Sequence, residues 1–169
     1  RKVWEEIAQG AWKTGDPGLV FIDRINESTS NPIRAEGWIV ESTNPCGEQP
    51  LYPYDACNLG SIFLKYFVKD KQVDWDKLKE TVHLAVRFLD SVIEKNPFPL
   101  PQIAETVRNI RRIGLGIGGW ADLLVELEIP YDSQDALDLA EKIMKFINEE
   151  GHKTSMQLAV ERGPFPMWK

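Results

Sequence analysis

The sequence is poor in the residues that build metal centres and disulfide frameworks. It has two cysteines, Cys46 and Cys57, and two histidines, His83 and His152, among 169 residues. Two cysteines are too few for the disulfide framework of a small secreted protein, and two histidines far apart in sequence form no zinc-ligand cluster. We therefore predict no metal site, and we expect any function of the cysteines to be chemical.

Long apolar runs and clustered positive charge are also missing. The apolar run at residues 19–22 is far shorter than the roughly 20 residues that cross a bilayer, and no signal-peptide pattern opens the chain. The net charge is −6, and the basic residues at 108–112 form the only cluster, which argues against a broad nucleic-acid surface. We expect a soluble, cytoplasmic protein that binds neither membranes nor nucleic acid.

What the sequence does contain is typical of a folded domain. Hydrophobic residues make up 43% of the chain and charged residues 27%, close to the averages for globular proteins. A length of 169 residues falls within the size of one domain. Because the chain begins without methionine, inside a helical pattern, and stops directly after a turn, we expect residues 1–169 to be a fragment of one larger domain.

Hydrophobic periodicity predicts helices alternating with a few strands. Asp74 and Ser133 are expected to cap two of the helices, and the last helix is expected to bury a stripe that includes Leu137, Met144 and Leu158. The predicted helices are at residues 4–13, 75–95, 101–110, 119–127 and 134–162, and the predicted strands are at 19–22 and 113–117. This pattern predicts an α/β fold whose remaining strands lie outside the chain.

Residues 23–58 form a long polar region in which hydrophobic periodicity is lost and proline and glycine recur. A loop of this length is unusual in a compact domain unless it has a function, because ordering its backbone costs free energy. We therefore expect the chemistry of the protein to be in this region.

The densest group of reactive side chains in that region is at Asn44, Cys46 and Glu48. In extended backbone, alternate residues point to the same face, so an amide, a thiol and a carboxylate would converge there. Pro45 favours extended geometry at Asn44, and Gly47 allows the backbone to approach a ligand closely. A carboxylate can act as general base, an amide can orient a hydroxyl group, and a thiol can give up a proton or a hydrogen atom.

The residue types alone leave a simpler interpretation open. Cys46 could be a small buried hydrophobic residue, and residues 44–45 an ordinary turn. Cys57 follows eleven positions after Cys46, a spacing that matches no common zinc pattern and no C-x-x-C redox pair. Spacing alone leaves Cys57 unassigned.

Two long motifs contain the two cysteines, NPCGEQPL at 44–51 and ACNLGSI at 56–62. Together they resemble the active-site loop of the ribonucleotide reductases, in the form found in the adenosylcobalamin-dependent class. The other matching segments, in the same order along the chain, are TGDPG at 14–18, FIDRIN at 21–26, RIGLG at 112–116 and ERGPFP at 161–166. The resemblance covers nearly the whole chain.

The resemblance implies a fold and a set of roles. The chain would be part of a ten-stranded α/β barrel, with residues 41–61 forming the finger loop inside it. Cys46 would carry the thiyl radical that abstracts the 3′ hydrogen of a ribonucleotide. Glu48 would take the proton of the 3′-hydroxyl group, and Asn44 would hydrogen-bond the substrate hydroxyl groups. Cys57 would be one of two cysteines that supply reducing equivalents, with its partner outside the chain.

Cofactor and partners are implied in the same way. The cofactor would be adenosylcobalamin, and the substrate a ribonucleotide, with diphosphates expected although triphosphates are also compatible with the motifs. Thioredoxin or a similar dithiol would reduce the disulfide that Cys57 forms. The full-length enzyme, of which this chain is a part, would be a candidate homodimer.

Two alternatives come from other features. Gly114, Gly116 and Gly119 match the G-x-G-x-x-G pattern of dinucleotide-binding folds, and Asp138 follows at about the spacing of a ribose-binding carboxylate. However, the first two glycines are predicted to lie within a strand rather than after it, and Asp138 within a helix. The other alternative is that the fragment is inactive by itself and acts only as a structural or interaction piece.

Overall fold

The computed structural model describes residues 1–168, apart from the side chain of Ala35. The chain divides into two compact units, Arg1–Pro53 and Tyr54–Lys169. None of the helices in the described residues is both long enough and apolar enough to span a membrane.

The first unit contains two α-helices, one 3-10 helix and a small hairpin. Helix α1 spans Lys2–Thr14, α2 spans Ile22–Glu27, and a 3-10 helix spans Arg34–Glu36. Strands β1 (Ser42–Thr43) and β2 (Pro50–Leu51) pair antiparallel. Helix α1 ends where it was predicted to end, because Gly15 adopts a left-handed conformation with φ 86° and its N–H donates to the Ala11 carbonyl.

The predicted strand at residues 19–22 is wrong. Within the described chain, residues 16–21 have no regular secondary structure, and Ile22 begins helix α2 instead. Leu19, Val20 and Phe21 are 50%, 51% and 63% exposed. A four-residue apolar run looks the same whether it forms a buried strand or leads into a helix, so its periodicity gives no means of choosing. The prediction of a loop at 23–58 is also partly wrong, because this region contains most of α2, the 3-10 helix, β1 and β2.

The second unit is α/β. Its elements in chain order are β3 (Asn58–Phe63), a 3-10 helix (Leu64–Phe67), β4 (Val68–Lys69), β5 (Gln72–Val73), α3 (Trp75–Lys95), α4 (Pro101–Ile110), β6 (Ile113–Gly118), α5 (Trp120–Glu126) and α6 (Gln134–Arg162). The four helices α3 to α6 lie within two residues of their predicted bounds. The predicted strand at 113–117 is confirmed as β6.

A parallel pair of strands organises the second unit. Strand β3 pairs with β6 in register from Asn58 opposite Ile113 to Phe63 opposite Gly118. Parallel neighbours require a long crossover connection, and here helices α3 and α4 supply it. The β-α-α-β arrangement confirms the α/β class predicted from the sequence.

Both predicted N-caps are present. The Asp74 side chain accepts a hydrogen bond from the Lys77 N–H at 3.1 Å, which begins α3. The Ser133 hydroxyl accepts one from the Ala136 N–H at 3.2 Å, which begins α6. Each cap satisfies a backbone donor that the first helical turn leaves without a partner.

Helices α3 and α6 pack together over the apolar core of this unit. The buried residues of α3 are Leu78, Val82, Val86, Leu89 and Ile93, which lie along one face of the helix. The predicted stripe on α6 is partly wrong. The residues that α6 buries are Ala136, Ile143, Ile147, Glu150, Thr154 and Leu158.

Two polar residues explain the error on α6. Leu137 and Met144 are 64% and 41% exposed, so the true inner face is rotated away from them. Glu150 and Thr154 lie on the buried face. A prediction based only on apolar residues leaves out such polar positions, so the predicted inner face is rotated about the helix axis relative to the observed one.

Candidate active site

The predicted reactive group is in the loop of the β1–β2 hairpin. Ser42 lies opposite Leu51 and Thr43 opposite Pro50, so residues 44–49 form the connecting loop. The Gly47 N–H donates to the Asn44 carbonyl at 3.0 Å, and the Asn44 N–H donates to the Gln49 carbonyl at 3.2 Å. Residues 44–47 therefore make a turn.

Asn44 and Glu48 are in direct contact across this turn. The Asn44 Nδ2 donates to Glu48 Oε1 at 2.5 Å, and the Asn44 Oδ1 accepts from the Gln49 N–H at 2.9 Å. The second bond fixes which end of the amide faces the carboxylate. The amide and the carboxylate are thus held side by side.

The geometry that brings these groups together differs from the predicted one. Convergence was expected from extended backbone, but the chain reverses direction at the turn, where Gly47 has φ 84°. Cys46 lies at the tip of the loop with an exposed thiol. The simpler interpretation was therefore correct about the turn and wrong about burial of the cysteine.

An open groove of about 500 Å³ lies beside Cys46 within the first unit. One side is formed by the hairpin loop and the other by α2 and the segment before it. Its lining residues are Leu19, Val20, Phe21, Arg24, Ile25, Ser28, Thr43, Cys46 and Gly47. The groove therefore brings together apolar side chains, Arg24 and Cys46.

Sequence reasoning missed the residues of the α2 side of this groove. The FIDRIN segment at 21–26 was identified as a motif, but it carried no assigned role. Arg24 lies with its guanidinium 5.8 Å from the centre of the Phe21 ring. The available signal was the motif itself, because it is one of the segments that carry the family resemblance.

Cys57 lies in the second unit, immediately before β3. It is half-buried, and its thiol donates to the Asn58 carbonyl at 3.3 Å. A small cavity of about 60 Å³ adjoins it. The cavity is lined by Ala56, Cys57, Asn58, Ile93, Asn96, Phe98, Val107 and Arg112.

A buried ion pair holds the segment that carries Cys57. The Arg112 Nε donates to Asp55 Oδ2 at 2.9 Å, and the Asp55 side chain is 0% exposed. Asn58 Nδ2 donates to the Leu89 carbonyl at 2.9 Å, which fixes the start of β3 against α3. The Asn58 Oδ1 is buried without a hydrogen-bond partner among the described residues.

The family model described as the ribonucleotide reductase barrel domain matches residues 1–169. The chain belongs to the ribonucleotide reductase family. This confirms the resemblance carried by the sequence motifs, and it confirms the α/β fold as that of the reductase barrel domain.

Individual relatives agree with this assignment. This ribonucleotide reductase chain is 57% identical to the vitamin B12-dependent ribonucleoside-diphosphate reductase of Thermoplasma acidophilum, covering 99% of the chain and 22% of that protein. Its identity to the enzyme of the same name from Mycobacterium tuberculosis H37Rv is 50%, covering 98% of the chain and 23% of that protein. The chain therefore spans less than a quarter of the length of these relatives.

A solved structure gives the same fold. The class Id ribonucleotide reductase alpha subunit of Actinobacillus ureae superposes with a TM-score of 0.82 at 26% identity. The match covers 99% of this chain and 33% of the solved chain.

The glycine pattern of this reductase chain belongs to its scaffold. Gly114 and Gly116 lie within β6, as predicted, and Asp138 lies within α6. At the neighbouring Gly118, which lies outside the pattern, an added Cβ atom would be 3.1 Å from Phe63 Cε1, so the absence of a side chain there permits close packing of β3 and β6. A dinucleotide-binding loop would instead place its first glycines after the strand.

Histidine and carboxylate groups elsewhere make structural contacts. The His83 ring Nε2 contacts Glu150 Oε2 at 2.7 Å between α3 and α6, and Lys153 Nζ donates to Glu150 Oε1 at 2.6 Å. Lys153 first and His83 second hold the pKa of the Glu150 carboxyl below its ordinary value. Among the described residues, no three His, Cys, Asp or Glu side chains form a group that could hold a metal ion.

Proposed function

We propose that the protein containing this chain reduces ribonucleoside diphosphates to 2′-deoxyribonucleotides for DNA synthesis by thiyl-radical chemistry. The observation that carries the proposal is the exposed Cys46 at the tip of the hairpin, in the same loop as the paired Asn44 and Glu48. Residues 41–61 act as the finger loop of the barrel in this proposal.

Cys46 is the group that begins the reaction on the substrate. As a thiyl radical, its sulfur takes the 3′ hydrogen atom of the ribose, which re-forms the S–H bond and leaves a carbon radical on the sugar. Such a transfer requires a sulfur that the sugar can approach. The exposed thiol beside an open groove meets this requirement, and we propose that the groove takes the ribose.

Glu48 and Asn44 assist the loss of the 2′-hydroxyl group. Glu48 accepts the proton of the 3′-hydroxyl as general base. Asn44 hydrogen-bonds the substrate hydroxyl groups, and its bond to Glu48 holds the carboxylate in place meanwhile. Because the Gln49 N–H fixes the amide oxygen, the Asn44 NH₂ group is already oriented before substrate binds.

Cys57 supplies one half of the reducing equivalents. Reduction needs two electrons and two protons, which Cys57 and a second cysteine outside this chain provide as they form a disulfide, while the 2′-hydroxyl leaves as water. Thioredoxin or a similar dithiol then reduces the disulfide by thiol exchange. Such a cycle fits the reducing conditions of the cytoplasm, where we expect the enzyme to work.

Adenosylcobalamin is the proposed cofactor, because the relatives at 57% and 50% identity are named as vitamin B12-dependent enzymes. When bound, it would supply the radical that initiates the chemistry. The residue that this chain presents to it is Cys46, whose exposure at the loop tip suits such an approach. The rest of the reductase chain, and a second copy of the full-length protein, complete the proposed assembly.

The test uses the full-length protein. We expect adenosylcobalamin-dependent reduction of cytidine diphosphate by the wild-type enzyme and none by Cys46→Ala. The control is Val160→Ala, at a position that is 88% exposed on α6, which should retain wild-type activity. Equal activity in Cys46→Ala and wild type would exclude the radical role, and activity without cobalamin would assign the enzyme to another reductase class.

A further inference from the structure

A buried network of polar side chains lies beneath the hairpin that carries Cys46. Its members are Asn26, Asn31 and Tyr52, which are only 9%, 5% and 2% exposed. Burying amide and hydroxyl groups is unfavourable unless they are hydrogen-bonded. The bonds that these three side chains make are therefore a defining feature of the first unit.

Asn26 holds the arm that leads into β1. Its Nδ2 donates to the Val40 carbonyl at 2.8 Å, and its Oδ1 accepts from the Val40 N–H at 2.8 Å. Val40 is fully buried and lies two residues before β1. The Asn26 amide thus pairs with both polar groups of one backbone residue, as a neighbouring strand would.

Asn31 and Tyr52 hold the arm that leaves β2. Tyr52 directly follows β2, and its hydroxyl donates to Asn31 Oδ1 at 2.5 Å. Asn31 Nδ2 donates in turn to Asn26 Oδ1 at 2.8 Å and to the Trp38 carbonyl at 2.9 Å. The Trp38 and Tyr52 rings also meet edge to face, with centroids 5.5 Å apart.

Both arms of the hairpin are therefore tied to one pair of asparagines. We propose that Asn26, Asn31 and Tyr52, here called the hairpin clamp, are positioning residues that hold Cys46 at a fixed place relative to α2. This inference rests on the proposed function for Cys46. The three side chains act through the hairpin, and no reacting atom is assigned to them.

The hairpin clamp affects the groove beside Cys46 because one of its residues lies on α2. Asn26 lies on α2, the same helix that contributes Arg24 and Ile25 to the groove. Cys46 and Gly47 line the opposite side. Fixing Val40 and Tyr52 to Asn26 and Asn31 sets the separation of the two walls. Hydrogen bonds are directional, so a fully bonded buried network holds one geometry better than apolar packing would.

The alternative is that the network only stabilises the first unit. Tyr52→Phe separates the two ideas, because it keeps the ring against Trp38 and removes the hydroxyl that bonds Asn31. The matched control is Ser133→Ala, which removes the N-cap of α6 in the second unit. Both variants should lower Tm modestly, but only Tyr52→Phe should affect the hairpin.

Two measurements on the full-length protein decide the matter. For Tyr52→Phe we expect kcat to fall about ten-fold with KM changed less than about two-fold, since small misplacements of a reacting group are costly. We also expect amide hydrogen exchange in the peptide covering residues 41–51 to accelerate about five-fold or more. Ser133→Ala should leave both quantities at their wild-type values.

The clamp is rejected if exchange in residues 41–51 is the same in Tyr52→Phe as in wild type. It is also rejected if Ser133→Ala lowers kcat as much as Tyr52→Phe does at an equal loss of Tm. Should the wild-type protein reduce no nucleotide, the proposed function fails, and hydrogen exchange alone then decides whether the clamp orders the loop.

Discussion

The two units of the chain differ in the interactions that stabilise each of them internally. The second unit buries apolar side chains of α3, α5 and α6, including Leu78, Leu123 and Ile143 at 0% exposure. In the first unit, none of the described side chains of α1 is buried, and the buried groups around the hairpin include Asn26 and Asn31. The unit with the reactive loop therefore depends more on directional bonds.

This difference is consistent with the roles proposed for the hairpin loop of the first unit and the apolar core of the second. Apolar burial contributes most of the stability of a fold, but it is non-directional and tolerates small displacements. Hydrogen bonds contribute less net stability, yet they fix orientation. Substitutions in the hairpin loop of the first unit should therefore reduce activity more than stability, whereas substitutions in the apolar core of the second unit should do the reverse.

After the complete loss expected for Cys46→Ala, the largest effect is expected for Glu48→Gln. Glutamine keeps an oxygen that can accept from Asn44 Nδ2 but cannot act as a base, so activity should fall by about 10²- to 10⁴-fold. Because Glu48 is exposed, Tm should stay at the wild-type value. Nucleotide reduction and thermal melting of the full-length protein provide the comparison.

Glu48→Asp is the matched control for that experiment, since it keeps the charge and shortens the reach. It should retain more activity than Glu48→Gln. Retention of more than half of the wild-type activity by Glu48→Gln would contradict the assignment of Glu48 as the base.

A core substitution should show the opposite behaviour. Leu78→Ala removes a side chain that is fully buried between the helices of the second unit, which should cost about 2–5 kcal/mol of the free energy of unfolding. Denaturant unfolding measures the loss. The control is Leu84→Ala on the same helix, where the side chain is 69% exposed and the expected cost is small. Equal losses in the two variants would mean that α3 is oriented differently.

Arg112→Met tests how much a directional contact in the second unit contributes to stability. The guanidinium pairs with the fully buried Asp55 carboxylate next to Cys57. Removing one member of such a pair should destabilise by about 3 kcal/mol, because it leaves a buried charge behind. The double variant Asp55→Asn/Arg112→Met should recover part of that loss in the same unfolding experiment. If the single and double variants are equally stable, the ion pair has no such role.

The same contrast explains what the sequence could predict. Helices α3 and α6 were predicted with their caps, because Asp74, Ser133 and the apolar periodicity are local signals. The α2 side of the groove was missed, because residues 19–22 resemble a short strand when read alone. Asn26 and Asn31 gave no signal of burial, because polar residues in a loop usually face solvent, and only the folded chain brings Val40 and Tyr52 to them.

The contact between Asn44 and Glu48 is an intermediate case. The residue types indicated the chemistry, and the family resemblance indicated the roles. The backbone between them was predicted as extended, whereas Gly47 allows a turn that brings the two side chains together. Local sequence thus determined which groups meet, and the pairing of β1 with β2 determined how.

The smallest expected effect concerns Glu150, the carboxylate buried between α3 and α6. Its pKa is lowered from the ordinary value of 4.5, first by Lys153 and then by His83. Because the pKa is lower in the folded state, the ionised carboxylate stabilises the protein at pH values above the ordinary pKa. This stabilisation is lost as the pH falls through the lower pKa of the folded state. Glu150→Gln, which lacks the titrating group, should therefore melt about 2 °C below wild type near pH 7. The difference should shrink as the pH falls below about 4.5, and a difference that grew instead would mean that the carboxylate is destabilised by burial.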